Sequence, residues 1–165
     1  MTETLQEKLV EYIQDAEAME QSVLQTLDSL IASTKDAQIR ADLEHHKRET
    51  ERQVERLRER LEELGESPST LKGLGTKAAA LPKGLFDQLR GEQSARNARD
   101  AYMTEHLEVA AYQLLERVAE RAGDRRTAEI ARQNRAEEEE MARRIDASWD
   151  RVVDLALQEE RVTAS

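Results

Sequence analysis

Taken at alternating steps of four and three, Ala101, Glu105, Glu108, Tyr112, Leu115, Ala119 and Ala122 fall on one stripe of a helix. The stripe is apolar at both ends and carries two carboxylates at its middle. Amphipathic helices turn their charges to water, and a carboxylate removed from water without a partner costs several kcal/mol even after its surroundings relax. A chain built on such stripes must bring protons, cations or basic side chains to one level of its interior.

The pattern recurs. From Glu3 to Ala32 the strongest line is Val10, Ile13, Glu17, Glu20, Leu24, Leu27 and Ile31, again with carboxylates at mid-height. A neighbouring line, Leu9, Tyr12, Ala16, Met19, Val23 and Leu30, widens that face to what a bundle helix needs. The next stretch reads Ile39, Leu43, His46, Thr50, Gln53/Val54, Leu57, Leu61 and Leu64, with Glu49 at its border. Near the end, Ala131, Asn134, Glu138, Met141, Ile145, Ser148/Trp149, Val152 and Leu155 repeat the spacing with Glu138 inward.

These stripes predict four helices over about 3–32, 35–64, 94–122 and 124–160, in a single domain spanning 1–165. The turn at Ala32 to Asp36 is short, with Ser33 as a loose capping box to Asp36, so the second helix folds back on the first. Ala122-Gly123-Asp124 makes an equally tight turn before the fourth. Between 65 and 93, Gly73, Gly75, Pro82, Gly84 and Gly91 break any long helix and leave short ones near 70–80 and 85–90. That crossover is long enough to travel the bundle's length, setting the third helix parallel to the second.

Composition agrees. Aromatics are 3% and charged residues 36% of the chain, the balance of long helices, and the class is all-α. A net charge of −10 opposes nucleic acid and anionic membrane surfaces as partners. No apolar run is long enough to span a bilayer, and the acidic start Met1 to Glu7 is unlike a signal peptide, so a cytoplasmic location is expected. Cysteine is absent, which removes thiolate metal sites.

Short loop, long crossover, short loop is the connectivity of ferritin-like carboxylate proteins with paired iron or manganese ions. Here Glu17, Glu20, Glu49, Glu105, Glu108 and Glu138, with His46, would converge at mid-height. Oxygen donors with one imidazole suit two Fe or Mn ions better than tetrahedral Zn or loop-bound Ca. Such a site could let O2 or peroxide take electrons from Fe(II), with Tyr112 or Tyr12 as hydrogen-bond or radical partners. A bland reading stands beside this one: the acids are salt-bridged, Arg135 neutralising Glu138, and the bundle is a non-catalytic structural or binding protein. Glu137 and His106 are further ligand candidates, although the run Glu137 to Glu140 reads mostly as a solvated face with Glu138 phased inward and His106 reads first as packed beside the site; Gln53 would support the ligands, and His45 reads as solvent-facing.

Asp15-Ala16-Glu17, His46-Lys47-Arg48-Glu49-Thr50, Val54-Glu55-Arg56-Leu57, Glu105-His106-Leu107-Glu108-Val109-Ala110-Ala111-Tyr112 and Glu137-Glu138 resemble the YciF-like branch of the ferritin-like superfamily. The resemblance implies a ferritin-like four-helix bundle, a dimer, a link to stress responses, and metal ligands at Glu17, Glu49, Glu105, Glu108 and Glu138. The chain departs from the usual ferritin-like Glu-x-x-His: Arg52 and Met141 stand where histidines would follow Glu49 and Glu138, and His46 precedes its glutamate instead.

Overall fold

The structure, a computed structural model, describes residues 4–68 and 94–161. Beyond residues 65–68, the expected crossover and its short helices lie outside the described residues. Five helices are described: α1 (Leu5–Ser33), α2 (Ala37–Glu63), α3 (Ser94–Ala122), α4 (Arg125–Asp146) and α5 (Trp149–Glu159).

Local chemistry sets the ends. Thr4 caps α1 in a reciprocal box: its hydroxyl accepts the Glu7 N–H at 3.2 Å, and the Glu7 carboxylate accepts the Thr4 N–H at 2.7 Å. The cap of α2 is Asp36 alone, whose carboxylate accepts the N–H groups of Gln38 and Ile39, both at 3.0 Å. Ser33, expected to help there, is instead the last residue of α1, and its hydroxyl donates back to the carbonyls of Ser29 and Leu30. Gly65 and Gly123 end α2 and α3 at φ of +77° and +72°, the left-handed region that a side chain resists. Asp124 then caps α4 through the Thr127 N–H.

The fourth helix, expected without interruption to 160, is broken at Ala147 and Ser148. The Ser148 hydroxyl donates to the Ile145 carbonyl at 2.8 Å, competing with the helical ladder. Trp149 then meets Tyr102 edge to face at 5.7 Å, and Val152 is buried.

Two apolar clusters show how the helices run. One joins the first half of α1 (Leu9, Ile13) to the end of α2 (Leu57, Leu61), the second half of α3 (Tyr112, Leu115, Ala119) and the start of α4 (Ala128, Ile130, Ala131). The other joins Val23, Leu27 and Leu30 to Leu43, Met141 and Ile145. Thus α1 is antiparallel to α2, α3 to α4, and α2 runs parallel to α3, the ferritin-like arrangement of an all-α bundle. The core face of α1 spans both expected lines: Leu9, Ala16, Met19, Val23 and Leu30 are buried, whereas Val10, Leu24 and Ile31 are only partly so. That breadth follows from α1 packing against both α2 and α3. Among the described residues, no helix is long and apolar enough to cross a membrane.

Candidate metal centre

Between the two clusters lies a polar layer supplied by all four long elements. α1 contributes Glu20; α2, His46, Thr50 and Gln53; α3, Glu105, Glu108 and Tyr112; α4, Asn134 and Glu138. Every one of these is at most 3% exposed. Ligand-type atoms of His46, Glu105, Glu108 and Glu138 lie within 4.8 Å of one another. His46 Nε2 is 3.3 Å from Glu105 and 3.7 Å from Glu138.

Around this group runs a directed chain of hydrogen bonds. Arg56 Nε donates to Asn134 Oδ1 at 2.8 Å, Asn134 Nδ2 to the Tyr112 hydroxyl at 2.9 Å, and that hydroxyl to Glu20 at 2.5 Å. Gln53 Nε2 donates to Glu138, and also to Glu137 at 3.0 Å. Even so, Glu20 Oε2, both His46 ring nitrogens, Gln53 Oε1, Glu105 Oε2, both oxygens of Glu108 and Glu138 Oε2 are buried without a hydrogen-bond partner. Buried polar atoms are nearly always paired, so this concentration in one layer points to a guest that pairs them.

The electrostatics point the same way. Burial pushes the Glu20 carboxyl up to about 7, against the pull of Tyr112 and His46. Burial, with the charges of Glu20, Glu138 and Glu105 beside it, holds Glu108 well above the usual carboxylate range. Glu138 is raised well above that range by burial and then by Glu20, despite the opposing charge of His46. Glu20 faces Glu108, and Glu105 faces Glu138, at contacts that become hydrogen bonds only when one partner carries a proton. At His46 burial opposes the charged ring, yet Glu105, with Glu49 and Glu138 behind it, raises it well above 6.5. Burial also drives the Tyr112 phenol well above its ordinary value.

Other expected residues fall around the layer. Glu49 is at its edge, 15% exposed, 3.1 Å from His45 and 3.9 Å from His46, and the His46 ring beside it holds its carboxyl below the ordinary value. Glu17 is buried, but Arg58 Nε holds it at 2.9 Å, outside the four-residue group. Glu137 pairs with Arg56. His106 stacks edgewise on Tyr102 at 4.5 Å, and Tyr12 is half-buried beneath Lys8. Arg135, the sequence's candidate to neutralise Glu138, pairs with Glu116 and Glu139 instead, because it projects from the side of α4 that meets α3 at Glu116. Arg56 and Arg58 escaped the sequence reading because they stand off the α2 stripe. Buried Asp100, Thr104 and Glu116 escaped it too, lying one step off the α3 stripe.

The donor set is carboxylates with one imidazole and no thiol, as hard and borderline divalent cations prefer. Four inward carboxylates carry the charge that two divalent ions would cancel. The residues present therefore fit a metal site.

Comparison with known proteins places the bundle. A solved structure of a protein from Xanthomonas campestris pv. campestris aligns at a TM-score of 0.79 and 27% identity, over 96% of this chain and 99% of that one. The Escherichia coli stress protein YciF aligns at 0.72 and 20% identity, over 98% and 100%. A dodecameric thioferritin, the bacterioferritin-related protein of Bacteroides fragilis, aligns at 0.73 and 18%, over 98% and 93%. Residues 4–158 match the family described as Domain of unknown function (DUF892), so the chain belongs to that family, with a ferritin-like fold shared with YciF.

Proposed function

We propose that the polar layer binds two divalent transition-metal ions, Fe(II) foremost and Mn(II) as the alternative, and that the loaded protein oxidises Fe(II) with O2 or peroxide. The observation that carries this reading is the eight buried, unpartnered polar atoms gathered on Glu20, His46, Gln53, Glu105, Glu108 and Glu138. His46, Glu20, Glu105, Glu108 and Glu138 would hold the ions, with Glu49 completing the site at its half-open edge. When bound, two Fe(II) ions supply one electron each, which with two protons reduce O2 to H2O2.

The protein's own residues set the stage. Tyr112 fixes Glu20 through its hydroxyl, and Asn134 and Arg56 fix Tyr112 in turn. Gln53 holds Glu138 by its amide. The protons that keep Glu108 and Glu138 neutral must leave as cations arrive, so binding releases protons and strengthens as pH rises.

We place this activity in a homodimer serving a stress response, the role in which the Escherichia coli relative is named. Met103, Leu107 and Leu114, between 43% and 49% exposed along one side of α3, support self-association. Sedimentation would give a dimer mass for the native chain and a monomer for Leu114→Lys.

Anaerobic titration with Fe(II) or Mn(II) tests the site. The native chain should take up two ions, and the Glu105→Ala/Glu108→Ala double variant should take up fewer. Oxygen consumption on mixing the Fe(II)-loaded protein with air tests the chemistry. A native chain that binds neither ion leaves a structural bundle held by protonated carboxyls, and ends this reading.

A further inference from the structure

The acids around the layer differ in what sits against them. Arg58 covers Glu17 at 2.9 Å, and Arg56 pairs with Glu137. Glu49 has imidazoles instead: His45 Nε2 lies 3.1 Å from its Oε1, and His46 Nδ1 lies 3.9 Å from its Oε2. Among the described residues, no lysine or arginine makes an ion pair with it. The difference is chemical, since a guanidinium is permanently charged and has no lone pair for a cation, whereas a neutral imidazole is a common metal ligand. The sides at Glu17 and Glu137 are closed to cations, and the side at Glu49 is open to them.

That same side grades from water to the interior. His45 and Glu49 stand four apart on α2 and so share a face, with side chains 40% and 15% exposed. The buried His46 ring turns Nδ1 toward Glu49 and Nε2 toward Glu105 at 3.3 Å, and neither nitrogen has a hydrogen-bond partner. Donors therefore follow one another inward in the order His45, Glu49, His46 and Glu105, each within 3.9 Å of the next.

We propose that His45 and Glu49 form the entry at which a divalent cation leaves water for the carboxylate layer, an inference that rests on the metal reading above. Divalent ions of this kind give up their waters reluctantly, so entry needs protein donors offered in succession. The rim offers an imidazole and a carboxylate where bulk water still reaches, and His46 offers the next donor where it does not. His45 is a transit group outside the final ligand set, and it governs rate rather than affinity. Arg144 opposes it: its charge acts on Glu49 from α4, where Glu140 holds it at 3.4 Å, and a cation arriving at Glu49 meets that repulsion.

Rapid mixing with Mn(II), or with Fe(II) under nitrogen, followed by assay of the unbound ion, reads entry without any redox chemistry. His45→Ala puts a better helix former at a part-exposed position. It should slow uptake about tenfold, slow release to EDTA by the same factor, and leave stoichiometry and Kd at their native values. Arg144→Gln should speed uptake severalfold, and it decides the question if the first variant folds poorly. A native rate in His45→Ala overturns the entry; so does a lower stoichiometry or a weaker Kd in that variant, which would make His45 a resident ligand. If the native chain takes up neither ion, the metal reading itself has failed; if it takes up two ions at a rate that the variants do not alter, the entry alone has failed.

Discussion

Replacing Glu108 with glutamine separates the two roles that its carboxyl would have. Both oxygens of Glu108 lack a partner, so the amide forfeits no hydrogen bond, and its two N–H groups face the carboxylates of Glu20, Glu105 and Glu138. In the ion-free protein the Glu108 carboxyl titrates well above its ordinary 4.5. The folded state therefore binds more protons than the unfolded chain at any pH between those two values, and stability must fall as pH rises through that window. Where the folded value lies above the working pH, the loss depends only on the distance from 4.5, and at pH 7 it reaches at most about 3 kcal/mol. Glu108→Gln removes that loss. In EDTA at pH 7 the variant should melt higher than the native protein by up to roughly 10 °C, at 2–4 °C per kcal/mol for a chain of this size, and the gap should close near pH 4. With excess Mn(II) the order should reverse, since the native protein gains RT ln(1 + [L]/Kd) and the variant gains less. Calorimetry across pH 4 to 8, with and without Mn(II), reads all of this. A variant that melts below the native protein in EDTA at pH 7, or whose offset is the same at pH 4 and pH 7, would refute the buried-carboxyl argument.

Four further outcomes follow from the same geometry. Mn(II) affinity measured calorimetrically should rise with pH above about 4.5, as the protons on Glu20, Glu108 and Glu138 are displaced; a flat profile would mean that these carboxyls do not meet the ion. Tyr112→Phe should cost the ion-free protein about 1–3 kcal/mol in urea denaturation, because Asn134 Nδ2 and Glu20 both lose their partner. Arg58→Ala should cost about 1–2 kcal/mol, with Arg58 half-exposed but Glu17 buried, and should leave Mn(II) stoichiometry unchanged. Gly123→Ala should cost about 1 kcal/mol through its positive φ, with no effect on metal uptake.

The long helices were legible because every stripe is apolar at both ends, and each end found its counterparts: Leu57 and Leu61 with Leu115 at one level, Leu43 with Met141 and Ile145 at the other. The level of the polar layer was legible too, since His46, Gln53, Glu105, Glu108 and Glu138 interrupt their stripes at heights that the connectivity makes equal. The choice between Glu17 and Glu20 was not. Residues three apart on a helix differ by only about 60° in direction, so both fit the same stripe. Their fates are decided across the bundle, where Arg58 takes Glu17 and Tyr112 takes Glu20. The break at Ala147 and Ser148 was equally hidden, with neither Gly nor Pro to announce it; a serine hydroxyl and the Trp149–Tyr102 contact produce it.

That contrast explains why one bundle can carry such a layer at all. The apolar clusters above and below Glu108 are complete without it, so the helices are held in register by Leu9, Leu57 and Leu115 on one side and Leu27, Leu43 and Ile145 on the other. The layer between them is then free to be electrostatically unfavourable when empty. Its carboxyls stay apart from water and face one another at contacts that become hydrogen bonds only when one partner carries a proton. The hydrogen-bond chain from Arg56 through Asn134 and Tyr112 runs inward, every N–H and O–H pointing toward Glu20. Such a chain favours the ionised form of the carboxylate at its end, opposing the burial that raises it, and it is the ionised form that the proposed metal site would require.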